Sequence, residues 1–137
     1  MLKGMEIARW TVLAAAIEAA ATGLVLFARP SWFARLVFGS EFSDAGSALG
    51  RLTAIALLGL TLANCPSGAV GPLPSSVRAL MTYNVLAAIY LLYLAIGHQL
   101  TGILLWPAIA LHAILVIFLG HAWLAKRDRE SAEDFSI

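Results

Sequence analysis

DAGSALGRLTAIALLGLTLANCP, residues 44–66, is the stretch that decides the fold. Its apolar part, Leu52 to Ala63, has twelve residues, whereas a helix needs about 20 to cross a hydrocarbon core of about 30 Å. Asn64, Cys65, Pro66 and Gly68 close the run on one side. The helix therefore reaches spanning length only by starting near Asp44 or Ala45. Arg51 is then drawn several residues into the membrane instead of sitting at its lip.

Three other segments need no such help. Trp10 to Ala28 is a nineteen-residue apolar run between Arg9 and Arg29, rising about 28 Å as a helix. Lys3 and Arg9 resemble the charged head of a cleaved signal peptide. The run is long for one, however, carries Glu18 at its centre and has further spans after it. The third span runs from about Arg78 to Gly97 and the fourth from Ile103 to Leu124, with the short polar turn His98 to Gly102 between them. Pro66 to Ser76, rich in Pro, Gly and Ser, is expected as a loop. The charged tail from Lys126 is expected to be solvated or frayed. Between spans one and two, Pro30 marks a helix start and Gly39 a stop. Trp32, Phe33, Leu36 and Val37 share one face there, with Ser31 and Arg35 off it, which predicts an interfacial helix over 31–38 lying on the membrane surface.

The expected fold is all-α: one domain over 1–137, an integral membrane four-helix bundle with spans near 10–28, 45–65, 78–97 and 103–124. Composition agrees. Of 137 residues 61% are hydrophobic and 12% charged, against roughly 45–50% and about 25% in soluble domains. Such a chain has too few ionic groups to coat a water-facing surface, so lipid is its first partner. A net charge of +1 and the lack of a basic, aromatic-interleaved stripe give no footing for nucleic acid. The single cysteine, Cys65, excludes an intrachain disulfide or thiolate cluster. Basic residues set the orientation: Lys3, Arg9, Arg78, Lys126, Arg127 and Arg129 fall on the side of the termini, and Arg29, Arg35 and Arg51 on the other. Both termini are therefore expected in the cytoplasm, in a bacterial inner membrane. Trp10 and Trp123 at one interface, and Trp32 and Trp106 at the other, fit an aromatic belt.

The candidate site is a set of polar residues stranded inside the bilayer. Glu18 is the only acidic residue in any span, and a charge at that depth costs about 2.5–3.5 kcal/mol on insertion scales. Thr11, Ala14, Ala15 and Thr22 share its face. Ala15, Ala19 and Gly23 form a small-residue ridge that lets a neighbouring backbone approach. Arg51 cannot shed its proton and needs an acceptor, so a buried Glu18–Arg51 ion pair tying span one to span two is expected. Tyr90 and His112 fall near the same level, giving a layer of Glu18, Arg51, Tyr90 and His112, with Tyr83 and Asn84 beside it. No cofactor or metal is called for. His98, His112 and His121 sit at unmatched depths for a bis-histidine haem, and no ligand cluster has zinc spacing. Nor is there a nucleophile elbow or phosphate loop.

Glu18, Gly23, Pro30, the apolar stretch to Gly39, then Gly50-Arg51 followed by Ala54 and Gly59, resembles the layout of the DoxX-like group of small bacterial four-helix membrane proteins. In that group a glutamate in span one precedes a proline-led interfacial segment, and an arginine opens span two. The resemblance covers about the first 65 residues. It implies the four-helix fold and singles out Glu18 and Arg51. Some members are linked by name to quinone or thiosulfate oxidation subunits, but no matching redox ligand stands here. Small multidrug transporters also carry a midplane glutamate in span one; the interfacial segment and a nearby Arg51 depart from their pattern. The expected role is a non-enzymatic accessory or binding subunit for a lipid, a quinone or a partner protein. The rival is an oligomeric small-molecule or ion transporter using Glu18 and His112.

Overall fold

Proline and glycine punctuate apolar runs in this chain, and the helices start and stop where they do. The computed structural model describes residues 2–64, 74–97 and 100–134. Over these residues the order is α1 (Leu2–Ala28), α2 (Pro30–Phe38), α3 (Asp44–Asn64), α4 (Pro74–Ile96) and α5 (Leu105–Asp134). Pro30 and Pro74 open their helices, where a missing N–H costs nothing. Ser43 caps α3, its Oγ accepting from Gly46 N at 3.1 Å. Gly39 closes α2 at φ 74°, a conformation that costs a side-chain-bearing residue about 1 kcal/mol.

Four helices, over Glu6–Ala28, Asp44–Asn64, Ser75–Ile96 and Leu105–Ala125, are long and apolar enough to cross a membrane. The chain is a multi-pass, all-α membrane protein, and the short α3 does extend back to Asp44, taking Arg51 with it. The element boundaries differ from expectation at three places. α1 begins at Leu2, two turns before Trp10. α4 begins at Pro74, so residues 74–76 are helical, while 66–73 of the expected loop lie outside the described residues, as do Cys65, His98 and Gln99. α5 starts at Leu105 and runs on to Asp134, because the tail's Ala, Lys, Arg and Glu are strong helix formers.

α1 is the central helix and touches the other four. Its small-residue ridge is packed inside the bundle: Ala15 and Ala19 are fully buried, and a Cβ on Gly23 would lie 3.2 Å from Ala54 O on α3. Thr61 Oγ1 on α3 reaches Ala16 O at 3.4 Å, and Gly50 packs on Leu26. Numbers fall on α3 as they rise on α1, so the pair is antiparallel. α4 and α5 form the second close pair. Val12, Ala15, Val77, Leu80, Leu115 and Leu119 join the two pairs in one buried cluster on the side of the termini.

At the opposite end, α2 is docked instead of lying free on lipid. Its last carbonyls, which a helix leaves without internal partners, are taken up by the α4–α5 connection. Leu104 N donates to Leu36 O at 2.8 Å, and Thr101 N to Phe38 O at 3.1 Å. Gly102 permits this closeness, since a Cβ there would stand 2.2 Å from the Val37 carbonyl. Val37, Ala95 and Leu105 form a second buried cluster beneath, and the Phe38 ring meets Phe33 edge-on and Phe42 at a tilt. Arg35 pairs with Glu41 on the exposed side.

Candidate functional site

α1 and α5 touch on the side of the termini and part beyond Glu18 and His112, leaving a wedge that α2 roofs. The wedge is a cavity of about 460 Å³. Its walls are apolar, from Val25 on α1, Phe33 and Leu36 on α2, and Ala108 and Leu111 on α5, with Glu18, Thr22 and His112 as its polar residues. Ala21 on α1, Leu104 just before α5, and Pro107 and Leu111 on α5 line it yet are exposed. The mouth therefore opens sideways between these helices, toward the place lipid occupies. Glu18 to Ala28 is ten residues, about 15 Å along the helix, or half the hydrocarbon thickness.

The polar residues sit where packing puts them. His112 Nε2 lies 3.9 Å from Glu18 Oε1, and both side chains are about nine-tenths buried. His112 Nδ1 is 2.8 Å from Asn84 Oδ1, and Asn84 Nδ2 donates to Leu80 O at 2.8 Å. That second bond turns the amide oxygen toward the imidazole, so Nδ1 carries the hydrogen and Nε2 is left facing the carboxyl. Thr22 Oγ1 donates to Glu18 Oε1 at 3.0 Å, and the Tyr83 ring stands edge-on to the imidazole at 5.6 Å. Glu18 Oε2 is buried with no hydrogen-bond partner.

This arrangement answers how a carboxyl is tolerated at that depth. With Nδ1–H committed to Asn84, one proton held by Nε2 or by the carboxyl makes the pair neutral overall, either as acid beside imidazole or as carboxylate beside imidazolium. At 3.9 Å the two groups are too far apart for a direct hydrogen bond. His112 Nε2 and Glu18 Oε2 are thus not bonded to each other, and both residues line the cavity.

Of the expected layer, Glu18 and His112 come together and Arg51 and Tyr90 do not. Arg51 stands level with Leu26 and Phe27, its Nε donating to Phe27 O at 3.4 Å. That is eight residues along α1 from Glu18, about 12 Å, and its side chain turns outward. The Glu18–Arg51 pair does not form; His112 holds the position assigned to the arginine. Tyr90 is 60% exposed. It sits about 100° round α4 from Leu91, the residue that lines the cavity. Asn84 and Tyr83, expected only at the margin, are the ones touching His112. The α2 apolar face, expected on lipid, instead lines the cavity through Trp32, Phe33, Leu36 and Val37. Among the described residues no three His, Cys, Asp or Glu side chains are grouped to hold a metal. No family model, curated protein or solved structure matches the chain.

Proposed function

We propose that this is a small non-enzymatic membrane protein that binds a hydrophobic ligand of the lipid or quinone class in the α1–α2–α5 cavity. It acts in a bacterial cytoplasmic membrane, with both termini in the cytoplasm, as an accessory subunit presenting that ligand to a partner. One observation carries this: a carboxyl oxygen, Glu18 Oε2, buried without a partner beside an apolar cavity. An unpaired buried polar atom costs about 1–3 kcal/mol, and a ligand carbonyl or hydroxyl would relieve it. The size supports the assignment, since small-molecule sites run about 300–1,000 Å³. So does the sideways mouth, through which a membrane-dissolved molecule enters without crossing water. The DoxX-like resemblance supports the four-helix fold and the choice of Glu18, and some members of that group are linked by name to quinone or thiosulfate oxidation subunits.

The test is mass spectrometry of what co-purifies with the full chain in mild detergent. Ala108→Trp fills the cavity and should strip the ligand, while Glu18→Gln should lower its occupancy about tenfold, the worth of one buried hydrogen bond. An unchanged lipid and quinone complement in Ala108→Trp would sink the proposal. Transport is the second reading, favoured by the Glu18–His112 pair, two ionisable side chains 3.9 Å apart beside an open cavity. Its expected signature is proton or substrate flux in proteoliposomes that Glu18→Gln abolishes.

A further inference from the structure

A second depression, of about 850 Å³, opens where α1 ends and α2 begins. It is lined by Arg29, Arg35 and Arg51 with Ser31, Ser47 and Asp44 among its other walls. Its depth is that of lipid headgroups. Arg29 lies eleven residues beyond Glu18, about 16 Å along the axis, at the rim of the hydrocarbon core. Arg51 starts lower, on α3 opposite Leu26, and spends only its Nε on Phe27 O. The rest of its guanidinium fork is unspent.

The charge balance in the depression is incomplete. Arg35 is matched by Glu41. Asp44 shares the wall, but among the described residues neither Arg29 nor Arg51 has a carboxylate within 4.0 Å. Two arginines lining one depression repel each other unless an anion lies between them. An arginine carried into a spanning helix is also costly to keep unpaired. Guanidinium pairs best with the oxygens of a phosphate, which its planar fork meets two at a time. The serine hydroxyls offer further donors, and Trp32, which lines both this depression and the apolar cavity, marks the interface.

We infer that Arg29 and Arg51 hold the phosphate group of a ligand with net negative charge in this depression, at the membrane surface away from the termini. Arg35 is fixed by Glu41 at its edge. This site does not depend on what fills the apolar cavity.

The experiment is titration of the full chain in micelles, read by native mass spectrometry, with three probes: dioleoylphosphatidylglycerol, dioleoylphosphatidylcholine and inorganic phosphate. One anionic phospholipid should bind in preference to the zwitterionic one. Arg29→Gln/Arg51→Gln should weaken it about thirtyfold, the loss of two interfacial cations. Arg29→Lys/Arg51→Lys should keep most of the affinity, which separates a lost ligand site from a misfolded chain. Arg9→Gln/Arg78→Gln, removing the same charge at the other interface, should leave it unchanged. If inorganic phosphate binds with the same arginine dependence, the ligand is soluble phosphate; if only the lipid does, it is a headgroup. Equal binding of both lipids, or equal losses from the two glutamine pairs, would overturn the assignment.

Discussion

Gly102→Ala is the sharpest perturbation of the roof over the cavity. The residue does not need glycine's left-handed freedom; it needs the missing side chain. An added Cβ would stand 2.2 Å from both the carbon and the oxygen of the Val37 carbonyl, and 2.6 Å from Leu36 O. Ordinary contact begins near 3.4 Å, so the connection must retreat from α2 by about 1 Å, and backbone cannot yield as a flexible side chain does. That retreat breaks or stretches Leu104 N to Leu36 O and Thr101 N to Phe38 O, at 2.8 and 3.1 Å. Two backbone hydrogen bonds lost at a site partly shielded from water cost about 2–4 kcal/mol. The assay is equilibrium unfolding of the full chain in mixed micelles, with Gly59→Ala as control, because nothing lies within 4 Å of a Cβ there. The control should be neutral to slightly stabilising, as alanine is the better helix former. If Gly102→Ala matched it, α2 would not be docked on the α4–α5 connection, and the cavity would lose its roof.

The other expectations follow from the same packing. A double-mutant cycle of Glu18→Gln with His112→Gln should show a coupling of about 0.5–2 kcal/mol, whereas Glu18→Gln with Arg51→Gln should be additive within about 0.5 kcal/mol. A large arginine coupling would restore the ion pair that the structure removes. Asn84→Leu takes away the acceptor of His112 Nδ1–H and should cost about 1–2 kcal/mol by the same unfolding assay; a neutral result would mean the imidazole finds another partner. Gly23→Leu should wedge α1 from α3, since even a Cβ meets Ala54 O and Leu58 at 3.2 Å. It is expected to destabilise by about 2–4 kcal/mol, and wild-type stability would refute the close approach.

The four spans and the interfacial helix were legible because run length and punctuation suffice for them. α3 could be extended to Asp44 on length alone. Glu18 and His112 were legible because ionisable groups in apolar runs stand out. Arg51 does not reach the level of Glu18 because the two helices are not centred alike. Their register is set instead by Gly23 on Ala54 and by Gly50 on Leu26, which lifts Arg51 to the level of Phe27. Tyr83 and Tyr90, seven residues apart, look equivalent on a helical wheel, but only Tyr83 has a ring to meet. The docking of α2 was not legible. It rests on backbone bonds between segments more than sixty residues apart, and its one trace in the sequence, Gly102, reads equally as an ordinary turn glycine.

The central claim is that a membrane-dissolved molecule enters between α1 and α5 and reaches Glu18. Photolabelling tests it most directly, using a diazirine-bearing short-chain quinone in membranes holding the full chain, with labelled residues mapped by mass spectrometry. The label should concentrate on cavity residues of α1 and α5, such as Ala21, Val25, Ala108 and Leu111, and should vanish from them in Ala108→Trp. Label spread evenly over lipid-facing positions such as Leu62, Leu86 and Ile117, and unchanged by that substitution, would contradict it.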